Sequence, residues 1–135
     1  QVAGAEAASH QAAVAVAPVS GTGLSRVVLS RQAAGRLGVQ TATVREALVA
    51  SPAAGGPTTR TTRKVIPYAA VLYDEHGDTW TFTVPAPLTY LRAAIDVDYV
   101  EGDLAILRSG PPAGTTIVTV GAEELLGAEL GVGGE

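Results

Sequence analysis

Three short stretches of this sequence gather the side chains that chemistry requires. DEHGD, Asp74 to Asp78, brings carboxylates and a histidine close together. Oxygen and imidazole ligands of that kind suit several divalent ions. The spacing is not that of a calcium loop, however, and His10 lies far away in the N-terminal stretch. A polar run with Gly77 between two alternating segments also meets the demands of a hairpin turn. IDVDYVEGD, Ile95 to Asp103, is acidic enough to suggest a general acid and base. Asp96 and Asp98 fall on one face of a strand, where two solvated carboxylates repel each other and nothing raises one pKa. TTRTTRK, Thr58 to Lys64, is the local basic patch, with Arg60, Arg63 and Lys64 as candidate contacts for an acidic partner or lipid headgroups. The plainer reading of such a run is a solvated linker.

Other chemistry finds no purchase. There is no cysteine, hence no disulfide, thiolate ligand or thiol nucleophile. No serine sits in a nucleophile elbow, and neither His10 nor His76 has an evident catalytic partner. Glycines do not follow a phosphate-loop spacing. Nine basic against 13 acidic residues give a formal net charge of -4, the wrong sign for general nucleic-acid binding. The sequence therefore calls for no catalytic residue, no cofactor and no metal site.

The elements that must position these groups are mostly strands. Aromatics make up 4% of the chain and apolar residues 47%, so the core is small and aliphatic. Arg26 to Leu29 reads as a strand. Ser30 then suits an N-cap, Ala33, Ala34 and Leu37 recur at helical spacing, and Gly38 suits a C-terminal stop. Val39 to Arg45 resumes as a strand. Further strands are expected over Lys64–Ile66, Ala70–Tyr73, Asp103–Arg108 and Thr115–Val120. In TWTFTV, Trp80, Phe82 and Val84 alternate with threonines. In TYLRAAIDVD, Leu91, Ala93, Ile95 and Val97 are expected to point inward, with Tyr90, Arg92, Asp96 and Asp98 outward. A closing helix over Ala122–Leu126, ended by Gly127, is too short to persist alone, so Leu125 and Leu126 must plug the roll.

The expected fold is thus mainly β: a small β-roll or barrel with one or two short helices. Residues 1–25 read as a flexible N-terminal leader, rich in alanine and poor in large side chains. GTG, Gly21 to Gly23, reads as linker. Residues 26–130 form a single domain, 47–63 an internal linker or loop marked by Pro52, Gly55, Gly56 and Pro57, and 131–135 a tail. Gln1 stands where a translated chain carries methionine, which implies a processed or trimmed chain. No apolar run reaches the ~20 residues of a membrane-spanning helix.

Three segments taken together carry a resemblance. VVLSRQAAGRLGVQTATV, KVIPYAAVLYDEHGDTWTFTV and GDLAILRSGPPAGTTIVTVGAEELLGAE resemble, in this order, the membrane-proximal parts of the periplasmic adaptor (membrane-fusion) subunits of efflux and secretion systems. The resemblance covers Val27–Val44 and Lys64–Glu129. It implies a β-roll made from the two ends of the chain. It also implies an extracytoplasmic, non-enzymatic partner of a membrane transporter subunit, either secreted or held by a lipid anchor upstream of Gln1, with a signal peptide in its precursor. The adaptors' barrel, lipoyl-like and helical-hairpin domains have no counterpart between Ala47 and Arg63, and the methionines of metal-handling members are absent. What the resemblance implies is a stand-alone membrane-proximal module. Beside it stand two other readings: a small ligand- or cell-wall-glycan-binding β module, using Trp80 and the tyrosines for stacking, and a minimal hydrolase on Asp96 and Asp98.

Overall fold

The computed structural model describes residues 13–52 and 58–131. The fold is mainly β, as the alternating patterns predict. In chain order the elements are β1 (Val14–Val19), β2 (Leu24–Leu29), α1 (Arg31–Leu37), β3 (Gln40–Thr43), β4 (Arg45–Pro52) and β5 (Thr58–Pro67). A 3-10 turn (Tyr68–Ala70) leads to β6 (Leu72–Tyr73), β7 (Thr79–Ala86), β8 (Thr89–Glu101), β9 (Leu104–Ser109), β10 (Thr116–Val120) and α2 (Ala122–Glu129). Seven antiparallel strands form a curled half-barrel in the order β3-β10-β7-β8-β9-β5-β4. β2 joins through β8 and carries β1 on its other side, while β6 pairs with β7. The two halves of the described chain are therefore interleaved, β2 lying on β8 and β3 on β10.

Two expectations of disorder are corrected. Val14–Val19, assigned to a flexible leader, is a strand paired with β2 from Val14↔Leu29 to Val19↔Leu24. GTG is the turn of that hairpin: Gly21 and Gly23 sit at φ 77° and 73°, and the Thr22 hydroxyl donates to the Val19 carbonyl at 2.8 Å. The small side chains that suggested a leader are those an exposed edge strand tolerates. Residues 1–12 lie outside the described part. Likewise, most of the supposed linker between 47 and 63 is a β-hairpin, β4 pairing with β5 from Arg45↔Val65 to Pro52↔Thr58. β-branched threonines favour this extended form. The Gly55–Gly56–Pro57 signal and the tail at 132–135 fall outside the described residues.

α1 forms as read: the Ser30 hydroxyl accepts from the Ala33 amide at 3.0 Å, and Gly38 closes the helix at φ 68°. α2 runs one turn further than expected. Gly127 lies inside it, and Gly131, at φ 79°, follows the Leu130 cap. Leu125 is fully buried as the expected plug, whereas Leu126 is only partly covered.

The central strands are covered on both faces, which the sequence pattern does not reveal. Directly opposed residues of an antiparallel ladder share a face, and Phe82 opposes Arg92 while Thr81 opposes Ala93. The Phe82 face joins Val27, Leu29, Tyr90, Val118 and Leu125 under the helices. The opposite face packs Val44, Ile66, Ile95, Leu107 and Ile117. Tyr90 and Arg92, expected to point outward, are consequently buried at 4% and 9% exposure. The inward sets assigned to β7 and β8 lie on opposite faces. Irregular register between Asp96 and Tyr99 then bends β8 onto β9.

Thr79, Thr81 and Thr83 lie along one face of β7. The first and third donate their hydroxyls to the Ile95 and Leu91 carbonyls at 2.7 and 2.8 Å. The Thr81 hydroxyl, fully buried between them, has no partner among the described residues. An unmade buried hydrogen bond costs stability that an apolar group of the same shape does not. Thr81→Val is expected to raise the stability of the fold by about 1 kcal/mol, read from urea unfolding curves with an unchanged slope.

Candidate functional site

β-alternation sets Arg63 on the opposite face from Arg60 and Lys64. Arg60 is exposed on the β4–β5 hairpin and makes no ion pair among the described residues. Arg63 turns inward along the sheet: its guanidinium donates to Asp98 at 2.9 Å and to the Leu107 carbonyl at 3.1 Å. Lys64 donates its ammonium to the Gly110 carbonyl at 2.8 Å. Arg60, Arg63 and Lys64 therefore do not present a joint cationic surface. Two of the three spend their donors within the chain.

The acidic strand is likewise engaged. Arg108 of β9 reaches Asp96 at 3.2 Å and Asp98 at 2.7 Å, so two guanidinium groups alternate with two carboxylates across β5, β9 and β8. The repulsion expected between Asp96 and Asp98 is offset by this arrangement. The Arg63 hydrogen bond, reinforced by the charge of Arg108, holds the Asp98 carboxyl below its ordinary pKa against a smaller opposing effect of burial. A carboxyl held ionised in this way is a poor proton donor.

DEHGD forms the turn between β6 and β7. The Asp74 carboxylate accepts from the backbone amides of His76 and Asp78 at 2.8 and 2.9 Å, and from the Trp80 indole at 2.9 Å. The indole bond leads the effects that lower the Asp74 pKa. His76 and Glu75 project into solvent. Among the described residues no three histidine, aspartate or glutamate side chains converge on a metal position.

The feature that sequence reasoning missed is a buried ion pair. Arg92 of β8 grips Glu129 of α2 with two hydrogen bonds, Nε to Oε1 at 2.6 Å and a terminal nitrogen to Oε2 at 3.1 Å. Their side chains are 8% and 2% exposed. The Ser25 amide of β2 donates to the same carboxylate at 3.0 Å, and the Trp80 ring lies 4.4 Å from the guanidinium carbon. Trp80 thus has one ring face against Arg92 and its nitrogen bound to Asp74. Glu129 also explains why α2 passes Gly127: the last turn delivers its carboxylate to Arg92. A polar residue at an outward-reading position of β8 gives no sequence signal of this role.

Open surfaces among the described residues include the following two. A groove of about 590 Å³ runs between the β4–β5 hairpin and the β8–β9 hairpin, lined by Leu48, Ala50, Arg60, Tyr99 and Glu101 above the buried Val65 and Ile106. The Tyr99 hydroxyl crosses to the Ala50 carbonyl at 3.3 Å. A second surface lies where β6 meets α2, with Leu72, Tyr73, Glu123, Leu126 and Leu130 around an open groove.

Two expectations follow. Glu129→Ala leaves Arg92 buried without its counter-ion and is expected to cost about 3–5 kcal/mol. A loss below about 1 kcal/mol in chemical denaturation would contradict the role given to this pair. Because the Asp98 pKa is lowered by folding, its stabilisation is complete above the unfolded value near ~3.9 and is lost as pH falls through the folded value. Asp98→Asn should therefore melt below the parent at pH 7, and the two melting curves should converge under strongly acidic conditions.

No protein-family model matches this chain, and no curated protein matches it.

Proposed function

We propose that the chain is a non-enzymatic, extracytoplasmic accessory that docks on a membrane transporter subunit, in the manner of the membrane-proximal domain of periplasmic adaptors. The observation that carries this reading is the interleaving of the two halves of the described chain. β2 and β3 from the first half pair with β8 and β10 from the second. This is the arrangement the resemblance implies for a roll that adaptors build from their first and last segments. The β4–β5 hairpin stands where those proteins carry their additional domains, so the roll is closed by a short connection.

The chemistry of the site agrees with a binding role. The acidic strand is neutralised, the turn carboxylate is spent on the backbone and an indole, and the ion pair is structural. No described helix is long and apolar enough to cross a membrane, so the reading places membrane contact in a partner or an anchor.

Site-specific photo-crosslinking in cells tests the reading, with the reactive group placed at exposed Arg60 and, separately, at exposed Tyr73. Reproducible capture of one transporter subunit from the membrane fraction is the expected result. Capture of wall glycan alone would transfer the assignment to the ligand-binding module, with the groove beside Tyr99 as its site.

A further inference from the structure

The surface formed by the 3-10 turn, β6 and α2 combines exposed aromatic, aliphatic and acidic side chains. Tyr68, Tyr73 and Leu130 are 42%, 55% and 59% exposed. Tyr73 and Leu130 line one groove of about 330 Å³, and the Tyr68 hydroxyl lies 3.3 Å from that of Tyr73, continuing the same surface. Glu123 belongs both to this groove and to a neighbouring one that adds Ala69 and Glu124. Among the described residues, no lysine or arginine lines either groove.

This charge is uncompensated, unlike that of Asp96, Asp98 and Glu129. Asp96 and Asp98 face two arginines, and Glu129 faces Arg92, but Glu123 and Glu124 make no ion pair among the described residues. Their place in the first turn of α2 suits the helix macrodipole, which accounts for two carboxylates there. It does not account for two tyrosines and a leucine held in solvent beside them. Aromatic anchors flanked by charge are the composition of a binding hot spot. Tyrosine faces and carboxylates both attract cations.

We infer that this surface docks a basic peptide segment of a protein partner. An apolar side chain of the segment enters the groove between Tyr73, Leu126 and Leu130. Its lysines or arginines reach Glu123, Glu124 and the tyrosine rings. The inference rests on the reading of the chain as an interaction module and names the docking face, away from the Arg60 hairpin. A neutral glycan could stack on the tyrosines but would gain no Coulomb attraction from the paired carboxylates.

The test is titration of the folded chain with a capped Leu/Lys peptide of about 15 residues, long enough to form a helix. A Leu/Glu counterpart and a chito-oligosaccharide serve as the other probes. Saturable NMR shifts at Tyr68, Tyr73, Glu123, Leu126 and Leu130 are expected with the basic peptide, weakening as salt rises. Glu123→Lys with Glu124→Lys should weaken binding by about tenfold or more. Tyr73→Ser, which leaves the helix charges in place, should weaken it as well while the melting temperature stays near the parent's. Shifts centred elsewhere, equal binding of the acidic peptide, indifference to these variants, or tighter binding of the oligosaccharide would each overturn the inference. Such a failure removes this face only; the transporter reading stands or falls separately on capture in cells.

Discussion

The arrangement depends most on the bond between Arg92 and Glu129. Two charges at 8% and 2% exposure are costly to remove from water, and their attraction offsets that cost only when geometry is good and the remaining lone pairs are occupied. Both conditions hold. The guanidinium engages both carboxylate oxygens, the Ser25 amide takes a further lone pair, and the Trp80 ring covers the cation. An aliphatic contact would let α2 slide along the sheet; a two-point hydrogen-bonded pair does not. The bond fixes α2 against β8, holds β2 to both, and through Trp80 reaches the Asp74 turn. Four elements distant in sequence thereby share one anchor.

That anchor also decides which surfaces stay open. By drawing the end of α2 toward β8 and β2, it leaves the start of the helix, with Glu123 and Glu124, facing β6 and its tyrosine. Across β5, β9 and β8, the alternation of Arg63, Asp98, Arg108 and Asp96 neutralises a surface that would otherwise be acidic. The molecule separates a balanced charged face from an unbalanced, partly apolar one. Electrostatic complementarity governs partner choice and encounter rate more than total affinity. On the proposed docking role, such a separation would orient a partner before close contact forms.

Local structure was legible in the sequence where local chemistry determines it. The Ser30 cap, the Gly38 stop, the DEHGD turn and the strands around Trp80 and Ile117 depend on neighbours within a few residues. The hairpins at β1–β2 and β4–β5 were not, because alanine, threonine, glycine and proline are equally at home in linkers and at sheet edges. Nor was the facing of β8. A period of two says that faces alternate, but only the register with β7 says that both are covered. Arg92 reads as a solvent residue until a carboxylate from the far end of the chain is placed against it. The basic residues Arg60, Arg63 and Lys64 read as one patch because they are adjacent in sequence, whereas a strand sends neighbours to opposite sides.

The hydrogen bond from Ser25 to Glu129 spans 104 positions of the chain. A fold that ties its second strand to its last helix cannot be finished from the amino terminus onward. Loop closure over so long a separation must precede the reward from the contacts it allows, which slows folding relative to helical domains of this size. During synthesis β2 waits, without its partners β8 and α2, until Glu129 has emerged. The buried pair thus acts as a completion check: a chain interrupted before Glu129 leaves an arginine in the core with nothing to neutralise it.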